Sequence, residues 1–191
     1  MGQYYEVLAE DKDGKRTAYD RSVDGHYTMA KLMEHSWWNN DFCCALSKTL
    51  VNNPRKIAWV GDYAEEDECK ALGFEYKEVW GSEDQDQDPA VGISSTDFTL
   101  DKVKYLVNVT KKLYVDLAKY KESSSEEGGW VIHPIPLLTC IGNGRGGGDY
   151  SPASGVSDEW VGAWAFDAIM LTNDKPEDCT EVCPVFREDR R

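Results

Sequence analysis

The chain has 191 residues, with 35 Asp and Glu against 21 Lys and Arg, three His and a formal net charge of −14. So large an acidic surplus excludes a sequence-independent nucleic-acid binder, because neutralising phosphates takes a surplus of Lys and Arg. No apolar run approaches the ~18–20 residues of a membrane span, while 41% hydrophobic and 12% aromatic residues can supply a real core.

Met1-Gly2-Gln3-Tyr4-Tyr5-Glu6 carries neither the basic nor the apolar region of a secretory signal, and Glu6 stands where a myristoylation motif needs Ser or Thr. Tyr4 to Glu10, the turn signal Asp11-Lys12-Asp13-Gly14 and Lys15 to Asp20 predict a β-hairpin. Apolar residues at 29, 32, 33 and 37 predict a helix over Met29 to Trp38. Asn39-Asn40-Asp41 suits the cap of a second helix through Phe42, Cys43, Leu46 and Leu50, which Asn52-Asn53-Pro54 ends. Ile57 to Val60 reads as a short buried strand.

Residues 81–98 form a polar, acidic stretch, read as an exposed linker or long loop. Its alternating acids suggest a Ca²⁺ loop, but the central Gly and terminal Glu of the EF-hand are missing. Val103 to Tyr120 fits both periods, and its Val and Tyr content favours a hairpin around Thr110-Lys111-Lys112 over a helix. Ser123 to Gly129 reads as a polar loop. Trp130 to Ile141 is apolar, and Pro134 and Pro136 point to an edge strand or extended segment. Trp160 to Leu171 is the last strong strand signal, and the charged tail is expected to fray from Arg187.

Trp59-Val60-Gly61-Asp62-Tyr63-Ala64 resembles Trp160-Val161-Gly162-Ala163-Trp164-Ala165 at an offset of 101. Tyr5-Glu6-Val7 lies opposite Tyr105-Leu106-Val107, and His35 opposite His133, at almost the same offset. These anchors predict two related halves. The expected fold is α+β and β-rich, with hairpins plus a few short helices. The expected division is a first half over 1–80, the acidic stretch 81–98, a second half over 99–172 and a charged tail over 173–191.

The most distinctive segment is Gly142-Asn143-Gly144-Arg145-Gly146-Gly147-Gly148-Asp149-Tyr150. Gly142, Gly144 and Gly147 satisfy G-x-G-x-x-G, but Ser151-Pro152 follows where a dinucleotide site needs a helix. A looser reading makes the glycine amides an anion nest and Arg145 a clamp on phosphate or carboxylate. The candidate ligand-binding residues are then Gly142, Asn143, Gly144, Arg145, Gly146, Gly147, Asp149, Tyr150 and His133. The bland reading is a tight structural loop in which Arg145 pairs with Asp149 or another surface acid. Cys140 with His133 would be a thiol nucleophile set if they converged, and His35 with His133 could share a metal across the halves. Cys179 and Cys183 lack the two further ligands of a zinc site. No catalytic residue, metal or cofactor is assigned. Six sparse cysteines point to a reduced, cytoplasmic protein.

Met1 to Tyr5, Lys31-Leu32-Met33-Glu34-His35-Ser36-Trp37, Trp59 to Ala64, His133 to Thr139 and Gly142 to Tyr150 together resemble an uncharacterised protein family of bacteria, phages and some unicellular eukaryotes. The resemblance covers residues 1 to about 171 and implies a cytosolic single-chain globular protein. It implies no activity and transfers no catalytic residues.

Two functions follow as expectations. The first is a non-catalytic, acidic interaction or accessory protein docking on a protein partner, drawn from the −14 charge, seven Trp and ten Tyr. The alternative is an enzyme or sensor that takes a small phosphorylated or nucleotide-like anion at Gly142 to Gly148. The acidity is uneven: residues 1–100 hold 20 acids and 10 bases, residues 101–191 hold 15 and 11. A local anion site in the second half is therefore compatible with the global charge.

Overall fold

The computed structural model describes residues 1–28, 31–81, 90–125 and 130–188. The first half holds β1 (Tyr5–Glu10), β2 (Arg16–Val23), β3 (His26–Tyr27), α1 (Leu32–His35), α2 (Asp41–Thr49), β4 (Arg55–Gly61), α3 (Glu66–Leu72) and α4 (Lys77–Trp80). After it come β5 (Val91–Ile93), a 3₁₀ turn (Leu100–Lys102), β6 (Tyr105–Asn108), β7 (Leu113–Asp116), α5 (Leu117–Ser124), α6 (Pro134–Thr139), β8 (Cys140–Ile141), β9 (Asp167–Thr172) and β10 (Thr180–Glu181). The fold is α+β, built on one mostly antiparallel sheet in the order β10-β7-β6-β9-β4-β1-β2-β3. β5 adds to β2, and β8 adds to β4.

Strand alternation sorts the sheet's side chains into two cores. Tyr5, Val7 and Ala9 of β1 and Ile57 and Trp59 of β4 join the larger core with α2, α5 and α6. Leu8, Ala58 and Val60 point the other way, onto Phe74, Val79 and Phe166 beneath α3 and α4. The middle strands are therefore covered on both faces, which is why β1 is buried along its whole length.

Both expected hairpins form. In the β1–β2 turn the Asp11 carboxylate accepts from the amides of Asp13 and Lys15, and Gly14 takes φ 78°. β6 and β7 pair from Tyr105–Asp116 to Asn108–Leu113, and the chain then enters α5 instead of continuing as strand. Asp116 drives that change by accepting from the amides of Ala118 and Lys119. The second expected helix, α2, starts at Asn40, whose side chain accepts from Cys43 N at 3.1 Å.

Four expectations need correction. The helix expected over Met29 to Trp38 is only α1, and residues 29–30 lie outside the described residues. Past His35 the backbone turns to tertiary partners: Trp38 N donates to Val131 O, and His133 N to Ser36 O. The Pro134 and Pro136 segment is helix, not edge strand. First-turn amides have no intrahelical acceptor, so proline there sacrifices no bond and its fixed φ suits the helix. Trp160 to Phe166 is a run of turns, with Gly162 at φ 70° and Phe166 at φ 57°, and only Asp167–Thr172 is strand. The tail is docked through Glu188: β10 pairs with β7, and Phe186 is fully buried between Tyr120 and Tyr150. Residues 189–191 lie outside the described residues.

Of the 81–98 stretch, β5 lies on β2 and Phe98 is buried, while the acidic run at 83–88 and its Ca²⁺ reading lie outside the described residues. Ser123 and Ser124 belong to α5, and the rest of that expected loop from 126 lies outside as well.

The strand arrangement repeats about the β4–β9 seam. β2-β1-β4 on one side and β7-β6-β9 on the other are each a hairpin whose first strand pairs antiparallel with a later strand. Tyr5 pairs with Gly61 as Tyr105 pairs with Thr172, so Tyr5 and Tyr105 hold matching places. In that register the place of Trp59 is taken by Met170, not Trp160, which sits in the turns before β9. The offset-101 match of the Trp-Val-Gly segments therefore does not fall on matching structure. The His-bearing segments do meet, at a Trp37–Ile132 bridge whose two backbone bonds are reciprocal.

Candidate functional site

α6 ends at Cys140, and β8 pairs with Trp59 and Val60 before releasing the glycine loop beside the N-terminal segment. Gly142, Gly144 and Gly148 take φ near 90°, a backbone that side chains rarely adopt. The loop closes on itself through Asn143, whose carboxamide donates to Tyr150 O at 3.1 Å and accepts from Tyr150 N at 2.8 Å.

The nest of amides exists, and Asp149 fills it. One carboxylate oxygen of Asp149 accepts from the amides of Gly144, Arg145 and Gly146 at 2.7, 2.8 and 2.9 Å. The other accepts from the buried Tyr5 hydroxyl at 2.8 Å. Burial and the adjacent carboxylate hold the Tyr5 hydroxyl well above its ordinary pKa, so it stays a donor. Arg145 does not pair with Asp149. Its guanidinium forks onto Glu68 at 2.6 and 2.7 Å and donates to Tyr63 O at 2.9 Å. That pair holds the Glu68 carboxyl below its usual range.

The remaining glycines make room for the N-terminus. Gly147 donates to Met1 O and accepts from Gln3 N, and Gly148 O accepts from Met33 N. A methyl group on Gly146 would lie 2.5 Å from Gln3 Cβ and 2.8 Å from Gln3 N. The Gln3 side chain is fully buried against Gly61 and Gly142. The segments around residues 1–5, 31–33, 61–64 and 142–150 thus meet at one place.

His133 is not part of this assembly. It caps the far end of α6, about 10 Å from Cys140 at 1.5 Å per helical residue. Its Nδ1 accepts from Ile135 N at 3.3 Å, so the neutral ring carries its proton on Nε2, 3.1 Å from Ser47 Oγ. Burial pushes its pKa down to about 3. Cys140 donates to Leu137 O, and burial pushes its thiol up to about 12, so it is neither paired with His133 nor a ready thiolate. His35 accepts from Lys31 N and lies against Trp37. Tyr150 is buried, with its hydroxyl on the backbone of Arg187. Among the described residues no three His, Cys, Asp or Glu side chains are grouped to hold a metal ion. A cleft of about 630 Å³ beside the loop is lined by Asn143, Asp149, Tyr150 and Asp158 among others, with no basic side chain.

A second surface was not legible from sequence spacing. The Arg21 guanidinium lies 5.3 Å from the ring centre of Tyr4, 5.5 Å from Tyr27 and 5.7 Å from Trp80. The buried Glu6 carboxylate approaches it at 3.7 Å. These residues come from β1 and the residue before it, β2, β3 and α4, so no local motif announces them. Tyr27 is 75% exposed, Tyr4 39% and Val91 on the neighbouring β5 51%. Asp20, Asp24 and Asp62 border the patch; they accept the backbone amides of Ser22, Ser95 and Tyr4 in turn, and none forms an ion pair among the described residues.

Compared with models of known families, with curated proteins and with solved structures, the chain matches none.

Proposed function

We propose that this chain is a non-catalytic binding protein that docks on a basic segment of a protein partner through the Arg21 patch. The observation that carries the reading is the Tyr4–Arg21–Tyr27–Trp80 cluster, in which Tyr4 and Tyr27 are exposed over half-buried Arg21 and Trp80. Tyr, Trp and Arg are the side chains that dominate interface energetics, since they bring large area at low conformational cost. Arg21 is already held between rings, so little freedom remains to be lost on docking. The acids around it, in a chain of net charge −14, favour a partner bearing Lys and Arg.

The glycine-loop reading has less support. A phosphate there would have to displace Asp149 from three amides, and Arg145 from Glu68, before gaining any contact. On the proposed reading the loop is a brace that seats the N-terminal segment carrying Tyr4. Six free cysteines, four of them buried, suit a reducing compartment such as the cytoplasm.

The test is titration with a fluorescently labelled Arg/Lys-rich peptide, read by anisotropy. Tyr4→Ser with Tyr27→Ser leaves the net charge unchanged, so it separates patch binding from general attraction to an acidic protein. We expect it to weaken binding about tenfold, the loss of two aromatic contacts. Unchanged affinity would reject the patch.

A further inference from the structure

The glycine loop holds the one Asn-Gly step of the chain, Asn143-Gly144; every other asparagine precedes Asn, Asp, Pro or Val. That step has a chemistry of its own. Glycine sets no side chain beside its amide nitrogen, so the nitrogen can fold back on the preceding carboxamide carbon. Once it has lost its proton to solvent base, Gly144 N attacks Asn143 Cγ. A C–N bond forms, the Cγ–Nδ2 bond breaks, and the leaving nitrogen takes up a proton and departs as ammonia. Water then opens the succinimide ring at either carbonyl, leaving aspartate or isoaspartate at 143. Nothing is oxidised or reduced.

The structure holds both reactants back. Gly144 N donates to Asp149 Oδ2 at 2.7 Å, and an N–H bonded to a carboxylate gives up its proton less readily. The Asn143 carboxamide is pinned at both ends. Its Nδ2 donates to Tyr150 O at 3.1 Å, and its Oδ1 accepts from Tyr150 N at 2.8 Å. Cγ can turn towards Gly144 N only after both bonds are given up. Bulk does not shield the step. Gly144 is exposed, a methyl group on it would meet no atom within 4 Å, and Asn143 is only half-buried. Solvent base therefore reaches the step, and hydrogen bonds are what restrain it.

We propose that Asn143 is a site of spontaneous deamidation whose rate Asp149 and Tyr150 set by keeping the loop closed. The modification is then a one-way record of local opening. Its products cannot rebuild the staple. An oxygen in the place of Nδ2 faces Tyr150 O with no hydrogen between them, and isoaspartate adds a carbon to the backbone just before Gly144, which is held at φ 93°. This site stands independently of what the Arg21 patch docks on.

The test is incubation of the full chain in mildly alkaline buffer, with peptide mapping by mass spectrometry to follow the amide-to-acid gain in mass at each asparagine. A synthetic peptide of residues 140–151 gives the unrestrained rate. Asn143 in the folded chain should react about 100-fold more slowly than in that peptide. Asp149→Ala should raise the folded rate about tenfold, the worth of one hydrogen bond to a charged acceptor. Asp149→Asn, which keeps an acceptor and loses the charge, should fall between Asp149→Ala and wild type. Because Asp149→Ala also weakens the whole fold, Leu106→Ala is the control: it truncates a buried side chain of β6 and leaves the hydrogen bonds of the loop in place. Its Asn143 rate should stay within about twofold of wild type. Folded wild type reacting as fast as the peptide, Asp149 variants no faster than Leu106→Ala, or modification at another native asparagine ahead of Asn143 would each overturn the proposal.

Discussion

Replacing Asp149 by Ala removes the acceptor of four hydrogen bonds at once. The four losses are unequal. The amides of Gly144 and Arg145 are exposed and can turn to water, so they contribute little. The Gly146 amide is half-buried, and its bond to a charged acceptor is worth ~1.5 kcal/mol. The Tyr5 hydroxyl is in the core, and a buried donor without an acceptor costs ~1–3 kcal/mol. Asp149→Ala should thus lower stability by about 3–4 kcal/mol. Tyr5→Phe alone leaves Asp149 on its three amides and should cost about 1 kcal/mol. In the double variant no orphaned hydroxyl remains, so its loss should fall short of the sum by about 1–2 kcal/mol. Urea unfolding of the four proteins at pH 7 measures all of this. An Asp149→Ala protein within ~0.5 kcal/mol of wild type, or strictly additive effects, would refute the view that Asp149 organises the loop.

His133 makes stability depend on pH. Its folded pKa, about 3, lies below its ordinary 6.5, so the folded state refuses a proton that the unfolded chain accepts. Stability is complete above 6.5 and falls as pH drops towards 3, by about 2 kcal/mol already at pH 5. His133→Asn keeps a capping oxygen, and urea midpoints at pH 7 and 5 should show that this share of the acid loss is gone. The glycine loop supplies a matched pair. Gly146→Ala must push back the Gln3 backbone and should cost about 2–4 kcal/mol. Gly144→Ala meets nothing within 4 Å and bears only its positive φ, about 1–2 kcal/mol, so thermal melts should rank Gly146→Ala as the worse by several degrees.

Local chemistry was legible in the sequence, and partners across the fold were not. Asp11 to Gly14 announced a turn and Asn40 a cap, because each acts within four residues of itself. Pro134 and Pro136 misled because a proline that bars a central strand is equally at home in a helix's first turn. The spacing of glycines correctly marked a loop of unusual backbone. It could not show that Asp149 would fill the nest, nor that Arg145 would reach Glu68, 77 residues away. Of the repeat anchors, Tyr5 and Tyr105 take matching register positions, but the Trp-Val-Gly segments do not, since strand register sets Met170 where Trp59 would be expected to recur. Alternation tells which face a side chain takes, not which strand lies beside it.

Hydrogen exchange of the full chain, with and without the labelled Arg/Lys-rich peptide, tests the docking surface most directly. Slowed exchange is expected in β2, β3, α4 and the segment before β1, which carry Arg21, Tyr27, Trp80 and Tyr4. Slowing centred on the acidic α3, or spread evenly over the acidic surface, would contradict it and leave only charge attraction.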